Sequence, residues 1–389
     1  MKIANRMENL SPSVTMAITA LARELKAQGK DILSFSAGEP DFDTPNVIKE
    51  AAIQAIKDGH TKYTAVEGTI ETKKAIINKL KRDHGLEYQL DEIIVSNGAK
   101  HSLFNLFQCL VEEGDEVIIP APYWVTYPEQ VKFSDGVPVF IDTDDSTNFK
   151  ITAEQLKSAI TDKTKILLLN TPSNPTGGVY TKEELLSLGE VLKGTDILVL
   201  SDEMYEKIMY DGKEFTAVAS VSEDMFQRTV TINGISKAVA MTGWRYGYLA
   251  TPHKALVKTM IKLQGQVTSN VNSVTLDAAI AALDGSADSD IEMMRKEFEK
   301  RRDVAIDQFN AIKGISCVKP DGAFYLFVNI KEVNTDSMKF AADLLEKEGV
   351  AVVPGLAFGT EGYFRFSFAT DLATIEEGIR RIKNFVENN

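Results

Sequence analysis

Lys237 stands where a charged side chain gains least from its neighbours. Around it are Gly234, Ile235, Ala238, Val239 and Ala240, small or apolar residues that offer no counter-charge. A desolvated ammonium gives up its proton more readily, and the neutral amine attacks carbonyl carbon to form a Schiff base. Eight positions on, Arg245 lies in Gly243-Trp244-Arg245-Tyr246-Gly247, a setting that suits a guanidinium fork holding a phosphate. Ser96-Asn97-Gly98-Ala99-Lys100 makes a small-residue turn into a helical pattern. Such a turn presents backbone N–H groups and a helix N-terminus to an anion. Pro122-Tyr123-Trp124 offers an aromatic plate, Asn174-Pro175 an amide, and Asp202 a carboxylate. Taken singly, each has an ordinary explanation: a tight turn, a core tryptophan, an Asn-Pro turn, an N-cap. Arg365 completes the set. In Tyr363-Phe364-Arg365-Phe366-Ser367-Phe368 the phenylalanines alternate with Tyr363, Arg365 and Ser367, so the arginine lies on the opposite face of a strand from three aromatic rings. That placement fits a partly buried fork for a planar carboxylate better than a surface charge on an edge strand.

Five of these groups directly follow short apolar runs: Ile93 to Val95, Val117 to Ile119, Ile166 to Leu169, Ile197 to Leu200 and Thr229 to Ile232. With Val137 to Ile141, these runs read as strands, and most are continuous, as parallel strands buried on both faces require. Helical patterns separate them. Thr152 with Gln155 and Thr181 with Glu184 form capping boxes. Asp43-Thr44-Pro45 starts a helix with Val47, Ile48, Ala51, Ala52, Ala55 and Ile56 on its inner face and Gly59 past its end. Alternation of strand and helix over about 200 residues predicts a large, doubly wound α/β domain with a mostly parallel sheet. In such sheets ligands bind beyond the carboxyl ends of the strands, where the chemistry-bearing residues fall. The last hundred residues differ. A charged helix from Ile291 to Asn310 leads to Cys317-Val318, Phe324 to Ile330, a helix from Ser337 to Lys347, then strands at Val350 to Val353 and Tyr363 to Phe368. The expected division is an arm and part of the small domain over 1–45, the large domain over 46–290, and a small α+β domain over 291–389.

A Schiff-base lysine, a carboxylate, an aromatic plate and an anion cradle together describe a pyridoxal 5'-phosphate site. The carboxylate, here Asp202, keeps the pyridine nitrogen protonated so that the ring accepts electrons. Composition agrees with an enzyme of this size. The chain has 389 residues, 44% of them hydrophobic and 25% charged, with a net charge of −13. That balance argues against a nucleic-acid footprint or a polybasic membrane patch. No stretch approaches 18 apolar residues, and the first residues lack a signal-peptide core. Two cysteines form no disulfide framework, so a reducing, cytoplasmic setting is expected. The four histidines show no metal-ligand spacing, and no dinucleotide fingerprint, Walker A run or nucleophile elbow is present.

These motifs have a family setting. The chain resembles the class I aminotransferases among fold-type-I pyridoxal phosphate enzymes, and within them the bacterial aspartate aminotransferase branch. The resemblance runs from Ser11-Pro12-Ser13 to the C-terminus. It is carried by Ala37-Gly38-Glu39-Pro40-Asp41-Phe42, Lys62-Tyr63, Pro122-Tyr123-Trp124-Val125, Asn174-Pro175-Thr176-Gly177, Ser201-Asp202-Glu203-Met204-Tyr205, Ser236-Lys237, Ala240 to Arg245, Gly322-Ala323-Phe324-Tyr325 and Arg365. It implies that Lys237 bonds the cofactor and shuttles the proton, and that Asp202 pairs with the ring nitrogen. Tyr205 and Asn174 would bond the ring oxygen, with Trp124 stacked on the ring. The backbone of Ala99 and Lys100, with Ser236 and Arg245, would hold the phosphate. Tyr63 would reach the phosphate of a neighbouring subunit, making a homodimer with shared sites. Arg365 would clamp the substrate α-carboxylate beside Gly38, Trp124 and Asn174. Lys100 would favour dicarboxylates. One departure stands out: the serine common three residues before the lysine is Gly234 here. The implied reaction is ping-pong transfer of the amino group from aspartate to 2-oxoglutarate, with amino acids and 2-keto acids as partners. An aromatic, prephenate or broad-range aminotransferase, another pyridoxal enzyme such as a β-lyase, and a non-catalytic binding protein on the same body are the alternatives.

Overall fold

Continuous apolar runs in the chain become strands with both faces covered. The computed structural model describes residues 1–8 and 10–388. Among the described residues the strands are β1 (Leu33–Ser34), β2 (Ile93–Ser96), β3 (Glu116–Ala121), β4 (Val137–Asp142), β5 (Thr164–Asn170), β6 (Leu198–Asp202), β7 (Thr229–Gly234), β8 (Gly247–Ala250), β9 (Ser316–Cys317), β10 (Tyr325–Asn329), β11 (Val350–Ala351), β12 (Val353–Pro354) and β13 (Tyr363–Ser367). Seven form the central sheet in the order β2-β8-β7-β6-β5-β3-β4. Only β8 runs antiparallel to its neighbours; the other pairs are parallel. The expected doubly wound α/β architecture is therefore present. Strand β2 shares the direction of β3, β5, β6 and β7, so all five of their carboxyl ends open on one edge.

The sequence reading misses β8. Its four residues follow directly on the Gly243–Gly247 turn, too short a run to separate from a loop. Strand β4 also departs from expectation. It closes one side of the sheet, and Val137 and Phe140 are exposed there, so its apolar run is not buried on both faces.

Both capping boxes form. Thr152 caps the helix Ala153–Ala159 with Gln155 returning the bond, and Thr181 with Glu184 does the same for Lys182–Leu192. The helix after Pro45 spans Asn46–Lys57, but its buried face is narrower than the sequence suggests. Ile48, Ala52 and Ala55 are buried, whereas Val47 and Ile56 face outward. An i, i+4, i+7 stripe is all the neighbouring helices cover.

A second sheet, β12-β13-β10-β9, is antiparallel between β10 and β13. The run Val350 to Val353 does not make one strand. It divides into β11, which pairs in parallel with β1, and β12, which pairs with β13. Residues Leu33 and Ser34, near the start of the chain, are thereby stitched to residues 350 and 351. Phe364, Phe366 and Phe368 of the β13 segment are fully buried in a core that also holds Phe35, Phe309, Phe324 and Phe340. Phe35 stacks on Phe366 with ring centroids 4.1 Å apart. The same apolar core continues to Ile94, Leu103 and Ile119 of the central sheet, so both sheets press on a common interior. Among the described residues no helix is long and apolar enough to cross a membrane.

Candidate active site

The carboxyl edge of the central sheet opens into a cavity of about 260 Å³. Its wall includes Gly38, Ala99, Lys100, Trp124, Asn174, Asp202, Tyr205, Ser236, Lys237, Arg245 and Arg365, which brings together every residue singled out above except Tyr63. Tyr63 is 90% exposed and apart from the cavity of its own chain.

Asp202 ends β6 and is 4% exposed. One oxygen, Oδ2, accepts from the Tyr127 hydroxyl at 2.7 Å; Oδ1 accepts from the Met204 backbone N–H at 3.2 Å. Burial raises the carboxyl pKa, and the two donors and the Lys237 charge work against that rise. A cation arriving beside this carboxylate would complete its pairing, because an ion stripped of water needs a partner.

Lys237 lies in the turn after β7, and its Nζ donates to the Gly38 carbonyl at 2.5 Å. Burial is the main influence on its pKa, with Arg365 and Arg245 adding repulsion while Glu39 and Asp202 oppose. The net effect lowers it from the ordinary 10.5 to about 8. A larger fraction than an ordinary lysine's is therefore neutral near physiological pH, as a carbonyl nucleophile or proton carrier requires.

The anion cradle is built from a glycine and a helix end. Gly98 has φ +89° and precedes the helix Ala99–Leu110; any Cβ on it would collide with the Arg245 guanidinium. Arg245 is itself left-handed, φ +59°, and its Nη1 donates to the Thr242 carbonyl at 2.8 Å. Ser236 is buried on the same wall. Gly234 explains the departure noted in the sequence. A Cβ at that position would lie 2.8 Å from the Tyr246 carbonyl and 3.0 Å from Met204 Cε, so the backbone entering β8 leaves no room for a serine.

On the other side of the cavity, Arg365 is 2% exposed and sits on β13, an interior strand of its sheet. The surface-charge explanation is therefore excluded. Its Nη1 donates to Asn174 Oδ1 at 2.9 Å and its Nη2 to the Ser36 carbonyl at 2.7 Å. Its Nε is buried with no partner among the described residues. A buried guanidinium with an open donor and no carboxylate beside it is poised to take an anion. Lys100 lies with its Nζ 4.8 Å from the Trp124 ring centre, and burial, then Arg245, lowers its pKa.

Three contributors are given no role by the sequence reading, although Thr242 and Tyr325 lie in stretches that carry the family resemblance. Tyr127 bonds Asp202, Thr242 holds Arg245, and Tyr325 hydrogen-bonds Tyr205 at 2.8 Å between hydroxyls. Tyr127 lies three residues past Trp124, at the second position of the helix Thr126–Phe133, and that spacing is the available signal. The histidines also hold a surprise. Asp83, His84 and Glu206 converge apart from the residues that line the cavity, with ligand-type atoms within 4.8 Å of one another. Lys79 pairs with Glu206 and lies 3.6 Å from Asp83, and Lys207 meets Asp83 at 2.8 Å, so ammonium groups already balance these anions.

A phosphate-bearing aldehyde with a basic ring nitrogen fits the cavity. The glycine that admits Arg245 and the helix end suit its phosphate, Asp202 its ring nitrogen, and Lys237 its carbonyl.

Residues 30–382 match the family described as aminotransferase class I and II. Over the full length of both chains, the sequence is 50% identical to a Bacillus subtilis (strain 168) protein named aspartate aminotransferase. It is 47% identical to a Nitrosomonas europaea protein named aspartate/prephenate aminotransferase, covering 99% of this chain and 100% of that one. The crystal structure of an aspartate aminotransferase from Rhizobium meliloti superposes with a TM-score of 0.96 at 43% identity, covering 100% and 99% of the two chains.

Proposed function

The chain belongs to the class I and II aminotransferases, and on that premise we propose that it transfers the amino group of L-aspartate to 2-oxoglutarate, giving oxaloacetate and L-glutamate, with pyridoxal 5'-phosphate as cofactor. The observation that carries this reading is the pairing of a half-buried, low-pKa Lys237 with a buried, partly paired Asp202 across one cavity whose far wall is a buried arginine. When bound, pyridoxal phosphate supplies an electron-accepting ring that stabilises negative charge at the substrate α-carbon.

The protein's own groups do the rest. Arg365 takes the α-carboxylate through its fork and orients the Cα–H bond, with Asn174 holding the guanidinium from one side. Lys237, neutral in the fraction that its lowered pKa allows, takes the proton from the substrate Cα and holds it at Nζ. Asp202 would keep a proton on the ring nitrogen, and Tyr127 holds Asp202 in place. With the cofactor bound, Trp124 would cover its ring, Tyr205 and Asn174 would serve the ring oxygen, and the Ala99 and Lys100 backbone, Ser236 and Arg245 would hold the phosphate. Lys100 receives the distal carboxylate of aspartate or 2-oxoglutarate. We read the chain as an arm over 1–45, a large domain over 46–290 and a small domain over 291–389. We also read it as a cytoplasmic homodimer in which the exposed Tyr63 completes the partner's phosphate site.

An absorbance spectrum of the purified protein, before and after adding aspartate, tests the reading. The expected result is a visible band that falls on addition of aspartate while a near-ultraviolet band rises, with a much weaker response to phenylalanine. A visible band indifferent to aspartate would remove the substrate assignment. No band even with added pyridoxal phosphate would remove the cofactor.

A further inference from the structure

Tyr325 opens β10 and is fully buried, yet it lines the same cavity as Lys237. Its ring and its hydroxyl touch two different parts of the site. The Arg365 Cζ lies 4.4 Å from the ring centre, within cation–π range. The hydroxyl is 2.8 Å from that of Tyr205, and the two rings meet edge to face at 5.8 Å. The segment is fixed from behind. Ala323 adopts φ +59°, its N–H donates to the Ile208 carbonyl at 3.0 Å, and its carbonyl accepts from the Tyr210 hydroxyl. Ile208 and Tyr210 belong to the same stretch that carries Tyr205. Gly38 leaves the space the hydroxyl needs, since a Cβ there would lie 3.0 Å from it.

Two buried hydroxyls in contact hold two protons and use one between them. Among the described residues neither has another hydrogen-bond partner. Which one donates decides where the second proton points. The guanidinium over the Tyr325 ring acts on both oxygens and favours negative charge most on Tyr325, while the Asp202 carboxylate disfavours it on Tyr205, so the Tyr325 hydroxyl is the better donor. Tyr325 then donates to Tyr205, and the Tyr205 proton is released to the cavity.

We propose that Tyr325 is a positioning residue that joins the carboxylate clamp to the cofactor's ring oxygen: its ring braces Arg365 and its hydroxyl sets Tyr205 as a donor into the cavity. This rests on the cofactor reading above. The charges facing the pair are Arg365, Asp202, Lys237 and, at the mouth, Glu39, and the substitutions below leave all four in place.

The test is the pH midpoint of the bound cofactor's visible absorbance in the holoenzyme, with succinate as an unreactive dicarboxylate probe. A donor to the ring oxygen stabilises its negative charge, which is fullest once the adjoining nitrogen has lost its proton. Weakening that donor therefore raises the midpoint. Tyr325→Phe should raise it by roughly half a unit, while Tyr205→Phe raises it more and makes the further change at 325 silent, because coupled groups are not additive. Tyr325→Phe keeps the ring, so succinate affinity should stay within about twofold, whereas Tyr325→Leu should weaken it by roughly tenfold. An unchanged midpoint in Tyr325→Phe, or an equal shift in the Tyr205→Phe background, overturns the hydroxyl's role. Succinate affinity that is indifferent to Tyr325→Leu overturns the bracing role. A wild-type protein with no visible band overturns the cofactor reading itself, and this inference falls with it.

Discussion

Lys237 and Lys100 share a cavity and face different requirements. Lys237 must lose its proton to act, and desolvation lowers its pKa to about 8. Lys237→Ala should abolish turnover and leave the far-ultraviolet circular dichroism and melting transition intact; activity above a few per cent would end its assignment. Lys100 must keep its charge to meet a second carboxylate, and its Nζ rests near the Trp124 ring. Lys100→Ala should raise KM for aspartate by about tenfold or more and barely change it for phenylalanine, so steady-state kinetics with both donors decides the matter. At this scale the sequence was informative where a residue type was out of place. A lysine among alanines and an arginine among phenylalanines signal burial before any coordinates exist. Tyr127 and Tyr325 gave no such signal, because a tyrosine in an apolar segment is unremarkable until a partner 75 or 120 residues away is known; Thr242 gave none because it holds Arg245 through its backbone carbonyl, which any residue could supply.

At the level of elements, the strand ends position the site and the opposite face anchors the strands. Asp202 points to the cavity while its neighbour Glu203 is buried on the far side. There Glu203 Oε1 accepts from Ser201 Oγ and the Val218 N–H, and Oε2 has no partner among the described residues. Burial raises the Glu203 pKa from the ordinary 4.5 to about 7. The folded protein then holds a proton that the unfolded chain releases between those values, so stability from this group falls as pH rises from 4.5 to 7. Glu203→Gln cannot ionise. Its melting temperature relative to wild type should increase between pH 5 and pH 8, and a constant difference would refute the buried-acid account. Nearby, Lys79 of the helix Ile70–His84 is buried against Glu206 and Asp83. Removing one partner of a buried pair leaves a charge without compensation. Lys79→Met should therefore cost about 3–5 kcal/mol in urea unfolding; a loss below about 1 kcal/mol would place these groups in a wetter setting. Continuous apolar runs made β2, β3, β5, β6 and β7 legible. Strand β8 was not, since its role is to close β2 onto β7 in four residues. The division of Val350 to Val353 between two sheets was equally hidden, because it depends on β1 arriving from the other end of the chain.

For the molecule as a whole, the exposed Tyr63 is the residue that its own chain does not use. If it completes the partner's site, Tyr63→Ala and Lys237→Ala proteins, each impaired alone, should regain activity when unfolded together and refolded. A mixed dimer has one site with both residues intact, so about a quarter of all sites recover for random pairing of a two-fold dimer. Activity no higher than the average of the parents would mean that each site is complete within one chain. The clamp on the substrate carboxylate has a further consequence. Arg365 donates to the carbonyl of Ser36, 329 residues earlier in the chain, beside Gly38, whose carbonyl receives Lys237. During synthesis the chain leaves the ribosome from its first residue, so Ser36 and Gly38 emerge early, Lys237 midway and Arg365 among the last. The nucleophile is thus available before the fork that selects its substrate, and carboxylate recognition is the final part of the site to be finished at the ribosome.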